Sequence, residues 1–197
     1  MADISSSDLE KRVSALLDKI LDKPELAHDI IARLSKSPEQ IVSLLDLPKN
    51  RLSEAGPDDE AVKRFADAVT SLAEAATAHA KIKQASGSKY KTLKESGLLD
   101  WETLIKGAAA IGTYSFGSGG QVPQSCKAAV ANLGRRQRKA TDAYVALLGC
   151  LVENMGDILT TGELVPDICS WLETSYNAAM QNLKAALRDV SLNCPFV

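Results

Sequence analysis

Residues 135–159 read RRQRKATDAYVALLGCLVENMGDIL, and the spacing of apolar positions in this stretch decides the fold. Ala140, Tyr144, Leu147, Leu148, Leu151, Met155 and Ile158 gather on one side of a helix at about 100° per residue. Arg135, Arg138, Lys139, Asp142, Gly149 and Glu153 lie on the opposite side. A strand requires alternation with a period of two, and the chain holds no such pattern of useful length. Two further stripes repeat the helical spacing. One is Val62, Phe65, Ala66, Val69, Leu72, Ala73 and Ala76; the other is Ile168, Leu172, Tyr176, Ala179, Leu183, Leu187 and Val190. The expected fold is all-α, a bundle of four to five long helices with short N-terminal helices attached.

Start and stop signals divide the chain. Ser7–Glu10 (SDLE) reads as a capping box ahead of Leu9, Val13, Leu16, Leu17, Ile20 and Leu21. Pro24 and Pro38 each open a further short helix, since proline at the first helical position forfeits no hydrogen bond. Residues 48–58 (PKNRLSEAGPD) are poor in apolar positions, so the expected organisation is an N-terminal segment 1–47, a linker 48–58 and a main bundle 59–197. A long helix is expected over 58–84, a polar connection over 86–97, and another helix from Leu98 past Trp101 into the small-residue run 107–120. Gly107 and Gly112 inside that pattern each cost about 1 kcal/mol against alanine, which signals tight packing or a local break. Pro123 opens the next helix, Gly134 stops or kinks it, and Pro166 begins the last.

With 45% apolar residues and only 5% aromatics, the chain of 197 residues suits one core of closely packed helices. No run of about 18 apolar residues is present, so no membrane span is expected. The N-terminus MADISSSDLEKRV lacks the features of a secretory signal. With no such signal, Cys126, Cys150, Cys169 and Cys194 are expected to be reduced, mostly buried thiols in the cytoplasm, and the lack of any close pair among them argues against zinc. Glu25 and His28 have a di-iron-type spacing without the second motif it requires. His79 falls near an apolar seam, where a hydrogen-bonded, half-buried histidine is expected. Trp171 sits off its seam and is expected to pack under the N-terminal segment, with a subunit contact as the alternative. FGSGGQVPQ, at 116–124, follows no strand and lacks a G-K-[ST] end, so it reads as a connection and not a nucleotide loop. No nucleophile stands with a base at a meaningful spacing; neither enzyme chemistry nor a cofactor is expected.

Charge carries the functional signal. From Lys81 to Lys139 there are eleven basic residues against three acids, a net +8 in a chain of net −2. The candidate anion-binding residues are Arg135, Arg136, Arg138, Lys139, Lys127, Lys89 and Lys91, with Tyr90 between lysines as a stacking ring. Read as the first turn and a half of a helix, RRQRK adds free backbone amides to the same positive field. Arg138 and Asp142 can pair at i,i+4, offsetting one charge.

The leading expectation is a structural, self-assembling protein that binds nucleic acid, single-stranded in preference, through a basic band and without reading sequence. A nucleocapsid or coat subunit is the type of object this describes. The alternative is a helical adaptor whose basic band meets an acidic protein. A third reading is an apolar-ligand site along the small residues 107–120.

Overall fold

The computed structural model describes residues 4–48, 59–117 and 122–194. Of these residues 86% are helical and none lies in a strand, as the stripe spacing requires. The linker residues 49–58, the glycine-loop residues 118–121 and the tail 195–197 lie outside the described residues.

The N-terminal helices are α1 (Ser6–Asp22), α2 (Leu26–Lys36) and, after a 3-10 turn at Pro38–Gln40, α3 (Ile41–Leu44). Ser5, not Ser7, caps α1: its Oγ accepts the Asp8 amide at 3.1 Å and donates to the Asp8 carboxylate at 2.8 Å. Leu9, Val13, Leu17 and Ile20 turn fully inward. Arg12 donates to the carbonyls of Leu45 and Asp46 at 3.0 and 2.7 Å, which satisfies the chain end beyond α3. Buried residues from Ile4 to Cys194 form one continuous core, so these helices share the interior of the rest.

The long elements are α4 (Asp59–Ser86), α6 (Trp101–Gly117), α7 (Gln124–Glu153) and α9 (Ser170–Asn193). Short helices α5 (Tyr90–Glu95) and α8 (Met155–Thr161) sit between them. The polar connection is therefore itself mostly helical, including a 3-10 turn at Gly87–Lys89. Side-chain contacts give the directions. Ser115 Oγ reaches the Ala61 carbonyl at 2.9 Å while the His79 ring lies 5.3 Å from that of Trp101, so α4 and α6 are antiparallel. Trp101 also faces Tyr144, and Gln137 Nε2 donates to the Leu104 carbonyl at 2.7 Å, so α6 and α7 are antiparallel. The order is up-down-up-down, with α7 packed against α4, α6 and α9.

Glycine in α6 marks close packing and no break. A Cβ on Gly107 would collide with Gln137 Oε1, and one on Gly112 would come within 2.8 Å of the Phe65 ring. These neighbours fill the space beside the glycines in which the apolar-ligand reading seeks a site.

Four expectations change. α7 is one unbroken helix through Gly134, so Arg135–Lys139 lie in mid-helix with no free amides beside them. It ends at Asn154, where the chain bends by 67° into α8. Trp171 and Ile168, expected to face inward, are 65% and 66% exposed. The cysteines are not thiols: Cys126 is bonded to Cys194 and Cys150 to Cys169, and no free cysteine remains. The helices bring together cysteines 68 and 19 positions apart, pairs that no local spacing in the sequence marks. The two bridges pin α9 antiparallel to α7 at both ends.

Reduction should therefore loosen α9 first. In the loop-closure picture, bridges of these spans are worth about 3 and about 4 kcal/mol. A reductant, or the pair of changes Cys126→Ser and Cys194→Ser, should lower the thermal midpoint by many degrees. Identical melts with and without reductant, or absence of the linked peptides in a non-reducing digest, would refute the pairing.

Candidate functional site

The basic segment gains its meaning from the helix beside it. Between α4 and α7 runs an open cleft of about 460 Å³. Arg64, Asp67, Ala68 and Ser71 line it from α4; Ala131, Gly134, Arg135, Arg138 and Lys139 line it from α7. Four of these side chains are cations and one is an acid. Arg135, Arg138 and Lys139 are exposed, whereas Arg64 is half-buried. Its position has a local cause. A Cβ at 134 would stand 2.9 Å from Arg64 Cδ and 3.1 Å from Cγ, so the arginine stem lies across the bare backbone of Gly134. Here the glycine, read from the sequence as a stop or kink, gives room to a side chain from another helix.

Arg138 Nε pairs with Asp142 Oδ1 at 3.7 Å, the expected i,i+4 partner, which does not itself line the cleft. Both side chains are a little over half exposed, which makes that pair weak.

Arg136, half-buried, and Lys127, exposed, belong to the same helix but do not line the cleft. Lys127 lies eleven residues before Arg138, close to the same angular position and about 16 Å away along the axis. Lys89 and Lys91 belong to the 3-10 turn and α5 after α4, and Lys91 pairs with Glu95 at 3.8 Å.

Tyr90 is placed differently from the stacking ring that its lysine neighbours implied. Its hydroxyl lies 2.6 Å from His79 Nε2 and its ring meets the imidazole edge-on. On the other side of the imidazole, Nδ1 lies 2.7 Å from the Tyr144 hydroxyl. Trp101 and Tyr176 complete this aromatic cluster around Tyr144. His79 is only 4% exposed, more deeply placed than the half-buried position expected. A neutral imidazole has one donor and one acceptor. Tyr144 is fully buried, so its proton must find the ring nitrogen; it donates to Nδ1, and Nε2–H donates to Tyr90, whose own proton is nearer solvent. The His79, Tyr90 and Tyr144 side chains thus satisfy one another's polar groups within the core. Tyr176 adds a tie to α6 by accepting the Asp100 amide at 3.2 Å, and Asp100 in turn accepts from the Thr103 amide in the first turn of α6.

Burial, reinforced by Lys83 and Lys94, lowers the His79 pKa to about 4. Burial raises Tyr144 well above the usual tyrosine range and Tyr176 to about 12. Among the described residues no three potential ligands are grouped to hold a metal ion, and no single helix is long and apolar enough to cross a membrane.

Sequence reasoning missed Arg64. It lies outside the positive block, in a stretch where Glu60 and Asp67 offset Lys63 and Arg64, and only its approach to Gly134 in space brings it to the basic face. Comparison with known protein families, with characterised proteins and with solved structures finds no match.

The histidine sets an acid limit on stability. Its pKa is lower folded than unfolded, so below about pH 6.5 the unfolded chain binds a proton that the folded chain refuses. Stability from this group is complete above pH 6.5 and is lost as pH falls toward 4, by about 3 kcal/mol at the end of the window. Urea midpoints at pH 7 and pH 4.5 should drop more steeply for the native chain than for His79→Gln. Equal drops would show that His79 is not buried in its neutral form.

Proposed function

We propose that this chain is a structural subunit that self-assembles and holds nucleic acid by its phosphate backbone, without reading base sequence. The observation that carries the reading is the cleft in which two helices converge Arg64, Arg135, Arg138 and Lys139 around a single acid. Side chains alone make this positive field, since mid-helix amides are occupied. Arginine is suited to the task because its planar fork meets phosphate oxygens in pairs. Lys127, one face and several turns along, extends the positive strip beyond the cleft. Such contacts position a strand but carry no sequence information. The reading rests on the cleft and the lysines, with Tyr90 as support for the fold.

Self-assembly is supported by two features. Outside the positive block the chain sums to −10, so subunits offer each other complementary faces. Trp171 and Ile168 stand exposed at the start of α9, with Leu159 exposed at the end of α8, and large apolar side chains of this kind anchor subunit contacts. Disulfides persist in oxidising settings, among them virion and cell surfaces. The expectation of reduced thiols in the cytoplasm rested on the lack of a secretory signal in the N-terminal residues.

Native material should carry nucleic acid, read as a high ratio of absorbance at 260 to 280 nm. Replacing Arg135 and Lys139 together by glutamine should weaken binding to all sequences alike. It should also flatten the slope of log affinity against log salt by roughly 0.7 for each phosphate of a single strand left without its cation. An unchanged slope and affinity would end the assignment, and binding of acidic polypeptides in place of nucleic acid would establish the adaptor reading.

Light scattering at low salt should show oligomers that shrink as salt rises, and Trp171→Ala should shrink them further. A monomer under every condition would remove the assembly half of the proposal.

A further inference from the structure

We infer that Arg64 and Gly134 together make a phosphate seat in the cleft: Arg64 is a direct phosphate ligand, and Gly134 is the residue that positions it. This rests on the reading above, that the basic face holds nucleic acid, and it names a ligand outside the charged segment and a positioning role for a residue without a side chain.

Gly134 weakens its own helix. Glycine in a helix interior is disfavoured relative to alanine, and this one sits near the middle of a 30-residue helix with no kink to excuse it. Backbone conformation does not require it either, since Gly134 does not have a positive φ. What it does supply is space. A methyl group there would come within 2.9 Å of Arg64 Cδ, and within 3.6 Å of Nε. The neighbour is a flexible side chain and not backbone, so alanine would be accepted by moving the arginine. With glycine, the arginine stem packs over α7 and its head joins Arg135, Arg138 and Lys139 around one cleft of about 460 Å³, a volume in the range of small-ligand sites.

The occupant is an anion with several oxygen acceptors. Four cations against Asp67 leave a surplus that a single carboxylate would not neutralise. Arg138 already has a carboxylate partner in Asp142. A phosphodiester in a strand that continues along α7 toward Lys127 meets more of these donors than a peptide carboxylate does. Asp67 faces the same space and opposes the anion, which limits affinity.

The test uses the full chain and a labelled single-stranded oligodeoxythymidine, with polyglutamate as the acidic-polypeptide probe. Arg64→Gln should weaken binding about tenfold, as for removal of a charge-assisted hydrogen bond, and flatten the salt slope by about 0.7. Gly134→Ala should weaken binding to a similar extent while the thermal midpoint holds or rises, because alanine favours the helix. Adding Gly134→Ala to Arg64→Gln should change nothing further, since the glycine acts only through the arginine. Asp67→Asn should tighten binding several-fold, an effect that misfolding does not produce.

If Arg135→Gln with Lys139→Gln weakens binding while Arg64→Gln and Gly134→Ala leave it untouched, the seat is wrong and the basic-face reading stands. If Gly134→Ala weakens binding equally in both backgrounds, its positioning role is wrong. If none of these variants moves affinity or slope, or if polyglutamate binds as tightly as the oligonucleotide, the nucleic-acid reading falls along with the seat.

Discussion

A helix enclosed on three sides has one strip left for water, and that constraint on α7 shapes everything else in this protein. α4, α6 and α9 all pack on it, so its residues divide among three interfaces and a solvent face. The apolar positions Leu133, Ala140, Tyr144, Leu147 and Leu151 serve the interfaces and are fully buried. Arg135, Arg138 and Lys139 occupy the strip because charge is tolerated only there. The neighbouring wall of α4 turns that strip from a flat charged surface into a cleft.

Close approach around α7 is made possible by small residues and guarded by polar ones. Gly107 admits Gln137, whose amide donates to the Leu104 carbonyl inside the core. Farther along, Tyr144 reaches His79 of α4 while its ring faces Trp101 and Tyr176. A single buried residue thereby ties α7 to all three of its partners. An unpaired hydroxyl there would cost about 1–3 kcal/mol; the neutral imidazole removes that cost and makes the four-helix crossing specific. The disulfides act on the same pairings covalently, holding α9 to α7 at its two ends.

Two regions of the surface differ in kind. Along the α4–α7 cleft, charges of one sign converge with little internal neutralisation, which favours a ligand that brings several negative oxygens at once. Around the start of α9, Trp171 and Ile168 present apolar area to solvent. The proposed function assigns the first region to a polyanion and the second to neighbouring subunits.

Local sequence alone determined the helices. The period of the stripes at 62–76 and 140–158 follows from the geometry of one helix, and prolines at 24, 38, 123 and 166 mark starts for reasons internal to the adjoining residues. The basic strip and the Arg138–Asp142 pair were legible on the same ground, since i,i+4 neighbours meet in any helix. Tertiary structure decided whatever depended on a second element. Gly134 looked like a stop because its helix cost is local, while the space it leaves for Arg64 is visible only once α4 lies alongside. Tyr90 looked like a free ring among lysines, and His79, eleven residues earlier and on another helix, claimed its hydroxyl. The cysteines looked unpaired for the same reason: their partners are neighbours through packing, and distance along the chain holds no record of it.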